Sequence, residues 1–133
     1  MKGIYILIIR ISKPIRPKVG ALGEIVFPTG LYAYVGSAQN SLESRVRRHL
    51  RKEKRLFWHI DYLLSERVAE VVEVYCLEGD KTCECQTAQL LAKHAVPVPR
   101  FGCSDCQCTS HLFCSDSFGF LNSQMKKLAF SSE

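Results

Sequence analysis

Five side chains of this 133-residue chain have the types and the order that phosphodiester hydrolysis calls for: Tyr5, Tyr34, Arg45, His49 and Glu84. A phenol beside a water molecule can act as its base or its orienter. The planar guanidinium of Arg45 fits two phosphate oxygens and counters the extra negative charge of a five-coordinate phosphorus. His49 could hydrogen-bond the scissile phosphate or assist proton transfer. Glu84 offers a hard oxygen ligand, and one carboxylate plus waters and phosphate oxygens suits Mg²⁺ or Mn²⁺. Such an ion polarises the phosphate and stabilises the leaving oxygen. Taken singly, each residue has an ordinary structural explanation. Strand tyrosines usually pack with a wetted hydroxyl, and a glutamate early in a helix gains only ~0.3–1 kcal/mol from the macrodipole. The argument lies in the ordered set.

Two tripeptides frame that set, Gly3-Ile4-Tyr5 and Tyr34-Val35-Gly36, each ending or beginning on one of the two phenols. Residues 4–11 are β-branched and aromatic and read as a buried strand. Pro14 and Pro17 break the run and Gly20 and Gly23 mark turns. Residues 24–27 read as a short second strand and residues 31–35 as a third, with Tyr32 and Tyr34 on one face. Asn40 is a candidate N-cap with Glu43 three residues on. In the helix that follows, Leu42, Val46 and Leu50 recur every four residues and form the core stripe. Arg45 and His49, also four apart, share a neighbouring stripe and can face one site. Residues 56–66 form a second amphipathic helix, in which His59 and Tyr62 either line the cleft or cap the core. Residues 71–77 read as a strand and residues 84–94 as a third helix, in which Glu84 is the lone carboxylate; Pro97 and Pro99 end it.

The chain is long enough for one core and too short for two ordinary domains. Its composition, 47% hydrophobic and 23% charged, is that of a soluble globular protein. No apolar run is long enough for a membrane span or a signal sequence, so the expected compartment is the cytoplasm and no membrane is expected among its partners. Residues 43–55 hold seven basic side chains (Arg45, Arg47, Arg48, Arg51, Lys52, Lys54 and Arg55) against Glu43 and Glu53, a net of +5 that equals the excess of the whole chain. Concentrated charge of this kind is the footprint of a polyphosphate partner, DNA above all and RNA not excluded. A solvated helix face would carry the same composition.

Cysteine usage gives a second signal. Seven cysteines cannot all pair within one chain. Cys103, Cys106, Cys108, His111 and Cys114 lie within twelve positions and could supply a tetrahedral Zn²⁺ site, with Cys83 and Cys85 contributing across the fold. Reduced, buried thiols are the alternative, and the sequence leaves the two open.

With these residues in place, the chain resembles the GIY-YIG nuclease superfamily over residues 3 to about 114, and within it the Uri branch of small stand-alone endonuclease-like proteins. The branch is suggested by Tyr34-Val-Gly-Ser-Ala38, by Arg45 with His49, by Trp58-His-Ile-Asp-Tyr-Leu63, by Glu84-Cys85, by Phe101-Gly-Cys-Ser-Asp-Cys106, and by Ser110-His-Leu-Phe113. The resemblance implies an α+β fold with a small antiparallel sheet of about three strands flanked by helices. It implies a single domain over residues 1–114, closed by the Cys/His-rich segment 101–114; residues 115–133, weakly periodic and rich in serine, are expected to form a loosely packed tail. It further implies metal-dependent endonucleolytic cleavage of DNA, structure-specific and related to repair or recombination. In that scheme Tyr5 and Tyr34 surround the nucleophilic water, Arg45 holds the phosphate and Glu84 the metal. Two positions depart from the pattern. Ser37 stands where many such nucleases carry a lysine, a loss that Arg48 could offset, and Gln89 stands where relatives can place another acid. These departures keep a second expectation open, a non-catalytic, zinc-stabilised nucleic-acid-binding module.

Overall fold

The structure is a computed structural model, and it describes residues 2–52, 54–102 and 108–128. The secondary structure comprises β1 (Gly3–Ile11), β2 (Gly30–Ala38), α1 (Leu42–Leu50), α2 (His59–Leu64), β3 (Ala69–Glu78), α3 (Thr82–Ala92), β4 (Val96–Pro97), β5 (Leu112–Ser115) and β6 (Lys126–Leu128). The fold is α+β. Among the described residues the strands form one antiparallel sheet of six, in the order β4-β5-β2-β1-β3-β6, rather than the expected three. The long strands β2, β1 and β3 occupy its centre, and β4, β5 and β6 extend both edges.

Apart from the exposed Arg10, β1 is apolar because both its faces are covered. Tyr5, Leu7, Ile9 and Ile11 join one core with Leu42 and Val46 of α1 and Ile60, Leu63 and Leu64 of α2. Ile4, Ile6 and Ile8 join a second core with Ala88 and Leu91 of α3 and with Phe118 and Leu121. The period-two alternation of one strand therefore assigns each helix to a side of the sheet.

Several boundaries differ from the sequence expectation. Residues 24–27 do not enter the sheet; Glu24 and Phe27 make isolated bridges to Lys18 and Ile15 in the loop between β1 and β2. Four residues between turn-formers close a local loop more easily than they reach a sheet edge. The N-cap of α1 is Ser41, whose Oγ accepts from the backbone N–H of Ser44, and not Asn40. The second helix is only six residues long. Its start is fixed by Asp61, whose Oδ2 accepts from the backbone N–H groups of Phe57 and Trp58 and so holds residues 57–58 extended.

The expected loose tail is packed as far as it is described. Phe118 and Leu121 are buried in the second core, a 3₁₀ turn spans Gly119–Ser123, and β6 pairs with β3. Phe118, Phe120, Leu121 and Met125, set among serines, give no regular period, yet they are enough to anchor the segment. No helix among the described residues is long and apolar enough to cross a membrane.

Candidate functional site

The two tripeptide motifs meet because β1 and β2 are paired in a register that sets Tyr5 opposite Gly36 and Gly3 opposite Ala38. A Cβ on Gly36 would lie 2.3 Å from the Tyr5 hydroxyl oxygen, so the glycine is what makes room for the phenol. A Cβ on Gly3 would lie 2.6 Å from the carbonyl oxygen of Leu77 on β3, so the first motif's glycine admits the other neighbouring strand. Each motif thus couples a phenol to the one residue type its surroundings tolerate.

Where β2 ends, a cleft of about 730 Å³ opens between the sheet, α1, the start of α2 and the first turn of α3. Tyr5, Tyr34, Arg45 and Glu84 all line it, together with Ser37, Trp58, His59 and Lys81. Four of the five sequence-predicted catalytic residues therefore converge on one cavity from four different elements. The fifth, His49, does not line it. Its ring is buried behind Tyr5, with Nε2 2.6 Å from the phenol oxygen. Burial pushes the His49 pKa down to about 3, an effect that Lys54, Arg48 and Arg45 reinforce and Asp61 opposes. The imidazole is neutral, and its Nδ1 has no hydrogen-bond partner among the described residues. His49 thus holds Tyr5 from behind and does not itself face the cleft, although it shares a helical stripe with Arg45.

Burial also raises the pKa of Tyr5 and of Tyr34, and the charge of Glu84 adds to the rise in both. Arg45 acts the other way on Tyr5, through its charge and a hydrogen bond. The rings of the two tyrosines lie 6.5 Å apart, and Tyr34 packs edge-on against His49 and Phe101. Arg45 donates from a terminal nitrogen to the carbonyl of Ser37 at 3.1 Å, and its guanidinium lies 4.6 Å from the Trp58 ring centre. Stacking on an aromatic face fixes the fork without neutralising it.

Glu84 enters from the first turn of α3. Burial pushes its carboxyl up, but hydrogen bonds from His111 and Ser37 and the charge of Lys81 outweigh burial, leaving it below the usual carboxylate range. It is therefore ionised in the cleft and fits the one-carboxylate pattern of Mg²⁺ or Mn²⁺ binding. Ser37 has a defined place at this site, since it touches Glu84 through its side chain and Arg45 through its carbonyl. Gln89 is exposed on α3 and does not line the cleft. Tyr62 does not line the cleft either; it packs against the core beside Gly20.

The basic segment divides into two groups. Arg47, Arg51 and Arg55 are exposed. Arg48 makes a two-pronged ion pair with the fully buried Asp61, at 2.9 and 3.1 Å, and its guanidinium also lies over the Trp58 ring, 4.4 Å from the ring centre. Lys52 donates to the carbonyls of Leu64, Glu66 and Ala69. Lys54 caps the C-terminal carbonyls of α1, at Arg48, His49 and Arg51, and burial lowers its pKa to about 8. Arg48, Lys52 and Lys54, expected as phosphate contacts, are thus committed to internal bonds. The cation in the cleft besides Arg45 is Lys81, which sequence reasoning missed because it stands in a turn with no helical stripe to single it out. Arg48, held by Asp61, does not line the cleft beside Ser37.

The metal-ligating residues also sort by face. Cys85, Cys108 and His111 each place one ligand atom within 4.8 Å of the others, a group that could hold a metal ion such as zinc. Two thiols and an imidazole are a donor set that Zn²⁺ favours. Cys114 does not belong to this group. It packs with the first core beside Tyr32, whereas Cys108 packs with the second. Cys103 and Cys106 lie outside the described residues, and Cys83 lies outside the group. His111 also reaches the candidate Mg²⁺ ligand, with Nδ1 2.7 Å from Glu84 Oε2.

No curated protein and no solved structure matches the chain. One family model does, over residues 4–131, a span that takes in the whole cleft and the packed C-terminal segment, and by that match the chain belongs to the family described as the domain of unknown function DUF123.

Proposed function

We propose that this protein is a metal-dependent endonuclease that hydrolyses phosphodiester bonds in DNA, with Tyr5, Tyr34, Arg45 and Glu84 as its reacting groups. The observation that carries the reading is their convergence on one cleft, with a neutral His49 behind Tyr5. Both phenols are protonated at neutral pH, since burial raises each. They therefore hold and orient the attacking water and a phosphate oxygen before any proton moves. Arg45 is the group that favours negative charge on Tyr5, and it lines the cleft that would take the phosphate. Mg²⁺ or Mn²⁺ on Glu84, when bound, supplies Lewis-acid polarisation of the phosphate. Arg47, Arg51 and Arg55 track the nucleic-acid backbone outside the cleft, and the soft donor set of Cys85, Cys108 and His111 takes zinc.

The test is a panel of labelled single-stranded, duplex, flapped and branched DNA, with an RNA counterpart, in Mg²⁺ or Mn²⁺. Wild type is expected to cut at least one substrate. Arg45→Ala is expected to lower the rate by ~10²–10³-fold. Its DNA affinity and salt dependence should change little, because the exposed arginines remain. Equal losses of binding and cutting would contradict that division. A second reading, binding without hydrolysis, draws on Ser37 standing in place of a lysine; retained binding with no cutting on any substrate would establish it.

A further inference from the structure

Glu84 and Cys85 are consecutive on α3, so their side chains leave the helix about 100° apart. One lines the cleft and the other joins the thiol group with Cys108. His111, 2% exposed, lies between them, with Nδ1 2.7 Å from Glu84 Oε2 and a ring nitrogen within 4.8 Å of the Cys85 sulfur. An imidazole has two nitrogens with opposite roles when neutral. A carboxylate at Nδ1 holds the proton there and leaves the Nε2 lone pair for a metal.

We propose that His111 links two sites. Its Nδ1–H is held by Glu84 of the cleft, and its Nε2 joins Cys85 and Cys108 in a zinc site, so that occupancy of the zinc site fixes the position of Glu84. The carboxylate then serves two masters: it orients the zinc ligand on one side and faces the cleft on the other. Because such coupling is reciprocal, changing Glu84 must change zinc affinity. The consequence for cleavage rests on the nuclease reading above; the effect on zinc affinity does not.

The experiment titrates the full chain with Co²⁺, whose thiolate charge-transfer absorption reports sulfur ligation, and then measures Zn²⁺ affinity by competition with a chelator. Wild type is expected to show the thiolate band, and Cys85→Ser to lose intensity from it. Glu84→Gln keeps the shape of the side chain and removes no zinc ligand; it is expected to retain the band and to weaken zinc binding by ~10–100-fold. If Cys85→Ser fails to fold, Cys108→Ser gives the same spectroscopic readout. Wild-type zinc affinity in Glu84→Gln, or no thiolate band in wild type, would overturn the link. Loss of the link with cleavage intact would leave the nuclease reading standing. A zinc-affinity shift in a protein that cuts nothing would do the reverse.

Discussion

Two residues show how far a site can depend on a single atom or a single proton. Gly36 faces the Tyr5 phenol across β1 and β2, and an added methyl would overlap it at 2.3 Å. Because Tyr5 is packed against His49, it has little room to yield. Gly36→Ala is expected to cost about 1–3 kcal/mol in urea unfolding and to displace Tyr5 from the cleft. His49 gives a pH signature. Its folded pKa is about 3, while an unfolded histidine titrates near its ordinary 6.5. Above 6.5 both states are neutral and stability is flat. As pH falls from 6.5 towards 3, the unfolded chain takes up a proton that the folded one refuses, so stability falls by up to ~1.4 kcal/mol per pH unit from this group. His49→Gln should flatten that slope in unfolding curves taken between pH 4 and 7. An unchanged slope would show that His49 titrates normally.

At the scale of elements, α1 and the residues just after it look from the sequence like a basic face, and three of the charges there, Arg48, Lys52 and Lys54, turn out to hold the fold. Arg48 locks α1 to α2 through Asp61, which is 0% exposed and also fixes the start of α2. Removing the arginine leaves a buried carboxylate without its cation. Arg48→Ala is therefore expected to destabilise by about 3–5 kcal/mol. Arg47→Ala, one position away and exposed, should stay within about 0.5 kcal/mol. Similar values for the two in denaturant unfolding would mean that Arg48 is a surface charge. Sequence periodicity shows which residues share a helix face; it does not show which cations find a carboxylate or a carbonyl thirteen residues on. The long, periodic elements were legible: β1, α1, β3 and α3 lie within a few residues of their expected bounds. The edge strands were not, because two to four residues contain too little alternation to read.

For the molecule as a whole, the C-terminal segment completes the second core. Phe118 and Leu121 pack on the sheet face that α3 also covers, and β6 extends β3. Phe118→Ala and Leu121→Ala are each expected to lower stability by about 2–5 kcal/mol. A loose tail would give changes within about 0.5 kcal/mol. The same sheet divides the soft ligands: Cys108 and His111 join Cys85 on one side, while Cys114 is carried to the other with Tyr32.

The sequence by itself determined the mixed α+β character, the central strands, the stripe that puts Arg45 and His49 on one helix face, and the pairing of each phenol with a glycine. These are properties of local period and residue type, and they survive without knowledge of neighbours. Tertiary structure decided what each group touches. It put His49 behind Tyr5, gave Lys81 a place in the cleft, tied Arg48, Lys52 and Lys54 to partners within the fold, and set His111 between Glu84 and two thiols. The reason is that burial and charge pairing are set by contacts between segments far apart in the chain, and no short-range pattern records them.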